Sequence, residues 1–229
     1  MQTRRTTVRR VADRGRYDEE TIHAILDATP IAHVGFSVDG QPYVIPTLHV
    51  RSGDRLFVHG SVGSRMLQAL KRGEVPCCVT VTSVDGIVVA RSAFHHSINY
   101  RSVVVLGNPR EVTDPERKLD ALRLLVERLL PGRWDEARQP SEAELRKTAV
   151  LELELREASA KVRTGPPVDE DEDYGLAVWA GVLPLQLTAG PPEPDPQLEA
   201  GVPLPAGLAQ WTGDGPGQGI LHPLAPDVR

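Results

Sequence analysis

Ten consecutive residues, Leu56-Phe57-Val58-His59-Gly60-Ser61-Val62-Gly63-Ser64-Arg65, gather most of the chemistry this chain offers in one place. An apolar β-type run leads into a Gly/Ser-rich turn that opens a helical pattern, so backbone N–H groups, two hydroxyls and a guanidinium converge. That is anion-binding chemistry: the unpaired amides and the dipole at a helix start favour a phosphate, and Arg65 can grip one with two parallel hydrogen bonds. The stretch lacks the Lys and the spacing of a Walker A loop. Taken alone it also fits an ordinary capped helix with a solvated Arg.

The remaining chemistry-bearing residues are more scattered. His49 and His59 each stand near a strand end, and His95-His96 lies in a loop. No third ligand at metal spacing accompanies them and no HExxH occurs, so a structural role is expected for His49, and surface or loop-anchoring roles for His95 and His96. Cys77 and Cys78 sit side by side in an apolar run, which suits neither a disulfide framework nor a zinc site and reads as core. There is no Gly-x-Ser-x-Gly elbow. Gly213, Gly215, Gly217 and Gly219 imitate a dinucleotide loop, but they follow no strand and include Pro216, which marks a flexible tail. The run Tyr100-Arg101-Ser102-Val103-Val104-Val105-Leu106-Gly107 reads as a buried strand with a polar entrance.

The elements that must position these groups alternate in period. Asp18 caps a short amphipathic helix with Ile22, Ile25 and Leu26 on one face, ending before Pro30. Residues 31–38, 43–50 and 56–59 are β-branched runs separated by Asp39-Gly40 and Ser52-Gly53-Asp54, an antiparallel meander. Residues 63–71 form a helix stopped by Gly73. Strands follow at 76–82 and 87–91, with a turn at Asp85-Gly86, and at 99–112 with a break near Asn108-Pro109. Thr113 and Glu116 form a capping box ahead of the stripe Leu119, Leu122, Leu125, Val126 and Leu129, and Ser141 and Glu144 form a second one. Residues 150–155 alternate as a half-buried strand. Six or seven strands without strand–helix alternation predict a mainly β fold, a small antiparallel barrel with peripheral helices.

Composition separates this barrel from its flanks. The chain has 229 residues and a net charge of −5. Residues 1–16 carry +5, residues 17–164 carry −1, and residues 165–229 carry −9 together with 12 of the 20 prolines and 10 of the 20 glycines. The expected organisation is a basic arm (1–16), one domain (17–164), and an acidic Pro/Gly-rich extension (165–229), of which residues 176–187 are apolar enough to pack on the barrel or on a second copy. No apolar stretch has the length of a membrane span, and no apolar segment follows the Arg-rich start as in a signal peptide, so a cytoplasmic protein is expected. The arm lacks interleaved aromatics and the whole chain is acidic, which argues against nucleic acid as partner.

Four segments in order, Tyr43-Val44-Ile45-Pro46-Thr47, residues 56–65, residues 97–107, and Arg138-Gln139-Pro140-Ser141 through Thr148 to Ser159-Ala160-Lys161, resemble the pyridoxamine 5′-phosphate oxidase-like FMN-binding split-barrel family. The nearest likeness is to its nitroimidazole-resistance reductase branch. The resemblance implies a six-stranded antiparallel split β-barrel, a homodimer with flavin at the subunit interface, and FMN as cofactor. It further implies that Val44, Ile45, Pro46 and Thr47 run along the isoalloxazine edge. Gly60 then belongs to the cofactor turn, Ser61, Ser64 and Arg65 take the phosphate, His59 stands beside the flavin as the catalytic candidate, and Tyr100, Arg101 and Ser102 line the cofactor. The vitamin B6 oxidases follow their Ser-Arg pair with Lys, whereas this chain has Met66, and their C-terminal Arg/His pattern is not evident. A flavin-dependent reductase of a small nitroaromatic- or quinone-like acceptor is therefore expected over pyridoxamine phosphate oxidation. The alternatives are a non-catalytic flavin or haem binder, with His49, His95 or His96 as haem ligands, and a protein whose arm and tail bind macromolecules.

Overall fold

The computed structural model describes residues 1–209; the glycines at 213–219 lie outside them. Residues Gly15–Arg16 (β1), Ile31–Val38 (β2), Gln41–Ser52 (β3), Arg55–Ser61 (β4), Cys77–Val89 (β5), Ser97–Gly107 (β6), Arg110–Glu111 (β7), Thr148–Glu154 (β8), Glu157–Arg163 (β9) and Gly181–Pro184 (β10) form one antiparallel sheet. The order is β1-β9-β6-β5-β2-β3-β4-β8-β7, with β10 beside β5. The ladder is not closed on itself. The fold is a mainly β split barrel, with ten strands among the described residues where the sequence pattern predicted six or seven and the family resemblance six.

Three features explain this shape. Asp39 (φ +50°) and Gly40 (φ +80°) both take left-handed backbone, the type I′ turn that matches the twist of the β2–β3 hairpin. β3 is twelve residues long and changes partner along its length: residues through Leu48 pair with β2, and His49 to Ser52 pair with β4. That change of partner splits the barrel. β5 does the same on one edge, pairing with β2 at Cys77–Thr80 and with β10 at Gly86–Val89.

Glu19–Asp27 (α1) is capped by Asp18, whose side chain accepts from the Thr21 N–H, and buries Ile22, Ile25 and Leu26. Arg65–Leu70 (α2) buries Met66, Leu67 and Leu70 in the same barrel core as Val34, Leu56 and Val103. Pro115–Leu129 (α3) covers a second cluster built on Val50, Phe57, Val112, Leu125 and Val150. β4 thus serves both cores, with Leu56 and Val58 in the first and Phe57 in the second. Arg133–Glu136 (α4) and Glu142–Lys147 (α5) are short, and α5 carries the predicted Ser141/Glu144 capping box.

Several sequence expectations are corrected. Asp85-Gly86 is not a hairpin turn: β5 runs through it with a bulge, because β6 and β10 pair across the same stretch and Arg101 grips Asp85 with two hydrogen bonds. Thr113 does not cap α3. Asp114 does, accepting from the Arg117 N–H, since the residue before Pro115 is held extended and so becomes the cap. The helix predicted over 63–71 starts only at Arg65 with Ser64 as its N-cap. β9, which no sequence pattern marked, sits between β6 and β1.

The Arg-rich arm lies on the barrel: the Met1 carbonyl accepts from the Ala158 N–H, Arg5 pairs with Glu157, and β1 pairs with β9. Among the described residues no helix is long and apolar enough to cross a membrane.

Candidate functional site

The upstream half of β3 exposes a free backbone edge. The His49 N–H donates to the Pro30 carbonyl on the β2 side, and backbone direction alternates along a strand. Val44 and Pro46 therefore turn their backbone polar groups away from β2, and Ile45 and Thr47 turn theirs towards it. Pro42 and Pro46 both fall on the outward phase, where a missing N–H breaks no ladder bond. Of the predicted residues 44–47, Val44 N–H and C=O and the Pro46 carbonyl are the groups a ligand edge can reach. The Val44 side chain is 64% exposed, and Ile45 and Val62 are also exposed.

The turn from β4 to α2 faces this edge. Ser61 Oγ accepts from the Gly63 N–H at 3.2 Å, which leaves its own proton for another acceptor. Ser64 N–H donates to the Ser61 carbonyl at 2.9 Å, and the first intrahelical bond runs from Gln68 N–H to the Ser64 carbonyl. The amides of residues 65–67 therefore precede the helix ladder, and the Ser64 side chain makes no capping bond to them. The Gln68 side-chain amide closes the turn on the Val62 carbonyl. Arg65 has no carboxylate partner among the described residues and lies 4.7 Å from the Tyr43 ring centroid, which ties the turn to β3. Tyr43 in turn stacks on Phe36. Gly60 has a packing reason of its own, since a Cβ there would stand 3.1 Å from the Leu67 side chain.

His59 lies on β4 opposite Val150, two residues before Ser61. Its Nδ1 is buried and meets no hydrogen-bond partner among the described residues, and burial alone lowers its pKa. A neutral ring with one unmatched nitrogen costs about 1–3 kcal/mol unless a ligand meets it. Unpaired amides, two hydroxyls, an unmatched guanidinium, an open strand edge and this orphaned imidazole fit a phosphate-bearing planar heterocycle such as a flavin.

Tyr100, Arg101 and Ser102 do not join this group within one protomer. They lie on β6, with β5 and β2 between them and β3. Arg101 is bound to Asp85, and Ser102 Oγ donates to the Lys161 carbonyl at 3.4 Å.

The histidines divide clearly. His49 is corrected as a haem-ligand candidate: it is buried, with Nδ1 3.0 Å from the Pro30 carbonyl oxygen and Nε2 3.0 Å from that of Leu26, so neither nitrogen is open. Burial lowers its pKa, and Arg128 adds to that direction. His95 Nε2 is 3.7 Å from Glu170. His96 donates from Nδ1 to the Ser92 carbonyl at 3.0 Å and is exposed.

Burial pushes the Cys77 thiol up to about 12 and also raises that of Cys78, so neither is a thiolate nucleophile. Asp169, which no sequence signal marked, is buried beneath the 91–92 backbone and accepts from both N–H groups and from the Arg91 side chain.

A comparison with curated protein sequences finds no match. Among solved structures the chain is similar to the flavocytochrome Anf3 from Azotobacter vinelandii, with 45% identity, TM-score 0.87, and coverage of 91% of this chain and 97% of that one. It is also similar to an FAD and haem binding protein from Mycobacterium smegmatis, with 39% identity, TM-score 0.83, and coverage of 87% and 98%. A candidate 5-nitroimidazole antibiotic resistance protein from Bacteroides thetaiotaomicron VPI-5482 shares the fold at 21% identity and TM-score 0.51, over 65% of this chain and 86% of that one. The pyridoxamine 5′-phosphate oxidase profile matches residues 18–162. With more than half of its length in that match and the split barrel to accompany it, this chain belongs to the pyridoxamine 5′-phosphate oxidase family.

Proposed function

We propose that this protein is a flavin- and haem-binding oxidoreductase, with the flavin held between the β3 edge and the Ser61–Arg65 turn. The observation that carries the flavin site is the Arg65–Tyr43 contact, which joins an unpaired anion-binding turn to an open backbone edge. The haem half rests on the two relatives at 45% and 39% identity, a flavocytochrome and an FAD and haem binding protein. A bound flavin supplies hydride and single-electron transfer.

The chain's own residues position and exclude. Ser61, Ser64, Arg65 and the first-turn amides of α2 hold a phosphate, a group common to FMN and FAD. The relative from Mycobacterium smegmatis favours FAD over the FMN implied by the family resemblance. Val44 and Pro46 offer one backbone donor and two acceptors to a ring edge. His59, neutral near pH 7 because burial lowers its pKa, offers a single N–H and a single lone pair to the ring or to a small acceptor of nitroaromatic or quinone type. The exposed apolar side chains of Val44, Ile45 and Val62 support a homodimer formed over this edge.

The test is the absorption spectrum of the purified protein and the mass of its released cofactors, followed by anaerobic addition of NADH, NADPH or a reduced deazaflavin. Flavin bands that bleach on reduction and return with acceptor are the expected result. A colourless protein that takes up no flavin on titration overturns the reading.

A further inference from the structure

Cations without carboxylates gather where the N-terminal arm meets β9. The single turn Ala12–Arg14 packs on β9, and Gly15 and Arg16 pair with Lys161 and Ala160. Lys161 Nζ donates to the Arg10 carbonyl at 3.1 Å, and Arg16 donates to the Asp13 and Gly15 carbonyls at 2.7 and 2.8 Å. The acids on the neighbouring strands are taken, Glu157 by Arg5 and Asp85 by Arg101. Among the described residues no carboxylate meets Arg14, Arg16, Lys161 or Arg163.

Arg163 is the costly member of the group. It is 7% exposed, and its guanidinium donates to Asn99 Oδ1, a neutral acceptor for a group with five N–H donors. Asn99 is buried as well, its side-chain amide turned to the Gly165 carbonyl at 3.1 Å. Burial lowers the Arg163 pKa, and the charge of Arg14 lowers it further. A buried cation beside a second cation, with an amide oxygen as partner, is unfavourable until an anion joins it.

The sheet connects this cluster to the open edge of β3. Lys161, Ser102 and Thr82 stand in one cross-strand row, and Thr80, His33 and Pro46 stand in the next row of the same face. The opposite face, with Val34, Val79, Val81 and Val103, belongs to the barrel core. Thr82, His33 and Pro46 are exposed, so the way across is clear. From β9 to β3 is four strand spacings, roughly 19 Å.

We infer that Arg14, Arg16, Lys161 and Arg163 form a second anion site, which takes the phosphate monoester of a phosphorylated nicotinamide nucleotide and so selects NADPH over NADH as reductant. The inference rests on the flavin oxidoreductase reading above. A dianionic phosphate suits adjacent guanidinium forks, which grip its oxygens through paired N–H groups. The flavin phosphate has its own donors in the Ser61–Arg65 turn, four strands away, and an extended dinucleotide has the length to reach from the cluster to that edge. NADH lacks the monoester, so the cluster has nothing to hold in it.

The experiment measures binding of the oxidised nucleotides NADP⁺ and NAD⁺ to the flavin-loaded full chain by calorimetry, for the wild type, Arg14→Ser and Arg163→Gln, with inorganic phosphate as competitor. The wild type is expected to bind NADP⁺ at least roughly 10-fold more tightly than NAD⁺, the worth of one charge-assisted hydrogen bond. Phosphate is expected to weaken NADP⁺ binding and leave that of NAD⁺ unchanged. Each variant is expected to lose most of the preference while keeping its flavin content and its NAD⁺ affinity. Arg14 is only half-buried, so Arg14→Ser carries the test where Arg163→Gln fails to fold. Equal affinity for the two nucleotides, no binding of NADP⁺, or a preference unchanged in Arg14→Ser overturns the inference. So does an Arg14→Ser protein that loses flavin affinity instead, which gives the cluster to the flavin. A wild-type protein that takes no flavin overturns the proposed function itself, an outcome distinct from a flavin-loaded protein without nucleotide preference.

Discussion

The Arg65 guanidinium lies 4.7 Å from the Tyr43 ring centroid, so the one unmatched cation of the β4–α2 turn is held over the strand whose backbone edge is free. This contact assembles the candidate flavin site from segments some twenty residues apart. It also orients the fork, because a guanidinium stacked on a ring keeps its N–H groups in the plane for an anion.

Arg65→Ala is therefore expected to weaken flavin binding by roughly 10–100-fold, the worth of a charge-assisted hydrogen bond of about 1.5–3 kcal/mol. Arg65→Lys is expected to recover only part of that, since an ammonium lacks the fork. Equilibrium titration of flavin into apoprotein measures both.

The phase of β3 makes adjacent positions respond differently. Thr47→Pro removes an N–H that faces β2 and is expected to lower stability by more than about 1 kcal/mol. Val44→Pro removes one on the open edge, where Pro42 and Pro46 already sit, and is expected to spare stability and weaken flavin binding. Thermal unfolding and flavin titration of the two variants check the assignment.

His49 closes the end of α1 by facing the Leu26 and Pro30 carbonyls at 3.0 Å each. His49→Ala leaves a buried cavity and takes the imidazole from the Leu26 carbonyl, while the Pro30 carbonyl keeps the backbone N–H of residue 49, and is expected to cost about 2–4 kcal/mol in chemical denaturation.

His23, His49 and His59 all have pKa values lowered from 6.5 by burial. The unfolded chain then binds more protons than the folded one, so stability is full above 6.5 and is lost as pH falls from there towards the folded values. Melting temperature measured on the acid side of neutrality should drop, and the drop should be shallower in His59→Gln.

Asp169 anchors the chain that follows the barrel to the 91–92 backbone, and hydrogen bonds to its carboxylate hold its pKa below the usual range against the opposing effect of burial. Asp169→Asn is expected to speed proteolytic cleavage between residues 164 and 187. Acidification through the lowered pKa should do the same in the wild type, because the anchoring charge is lost as pH falls.

The sequence by itself determined the local structure: the Asp39-Gly40 hairpin turn, the Ser141/Glu144 capping box, the apolar face of α1, and the anion-binding composition of residues 60–65. Each rests on residues within a turn or two of one another, where backbone chemistry is read directly. The stripe read for α3 did not hold, since α3 buries Ala121, Leu124, Leu125 and Arg128 and leaves Leu119 and Leu129 exposed. Tertiary structure alone decided what depends on distant pairing. It ran β5 through Asp85-Gly86 because strands on both sides bind that stretch, and it set Arg65 over Tyr43. It placed Tyr100–Ser102 three strands away from residues 44–47 and closed both nitrogens of His49. Register and exposure are properties of which strands meet, and a one-dimensional pattern does not contain them.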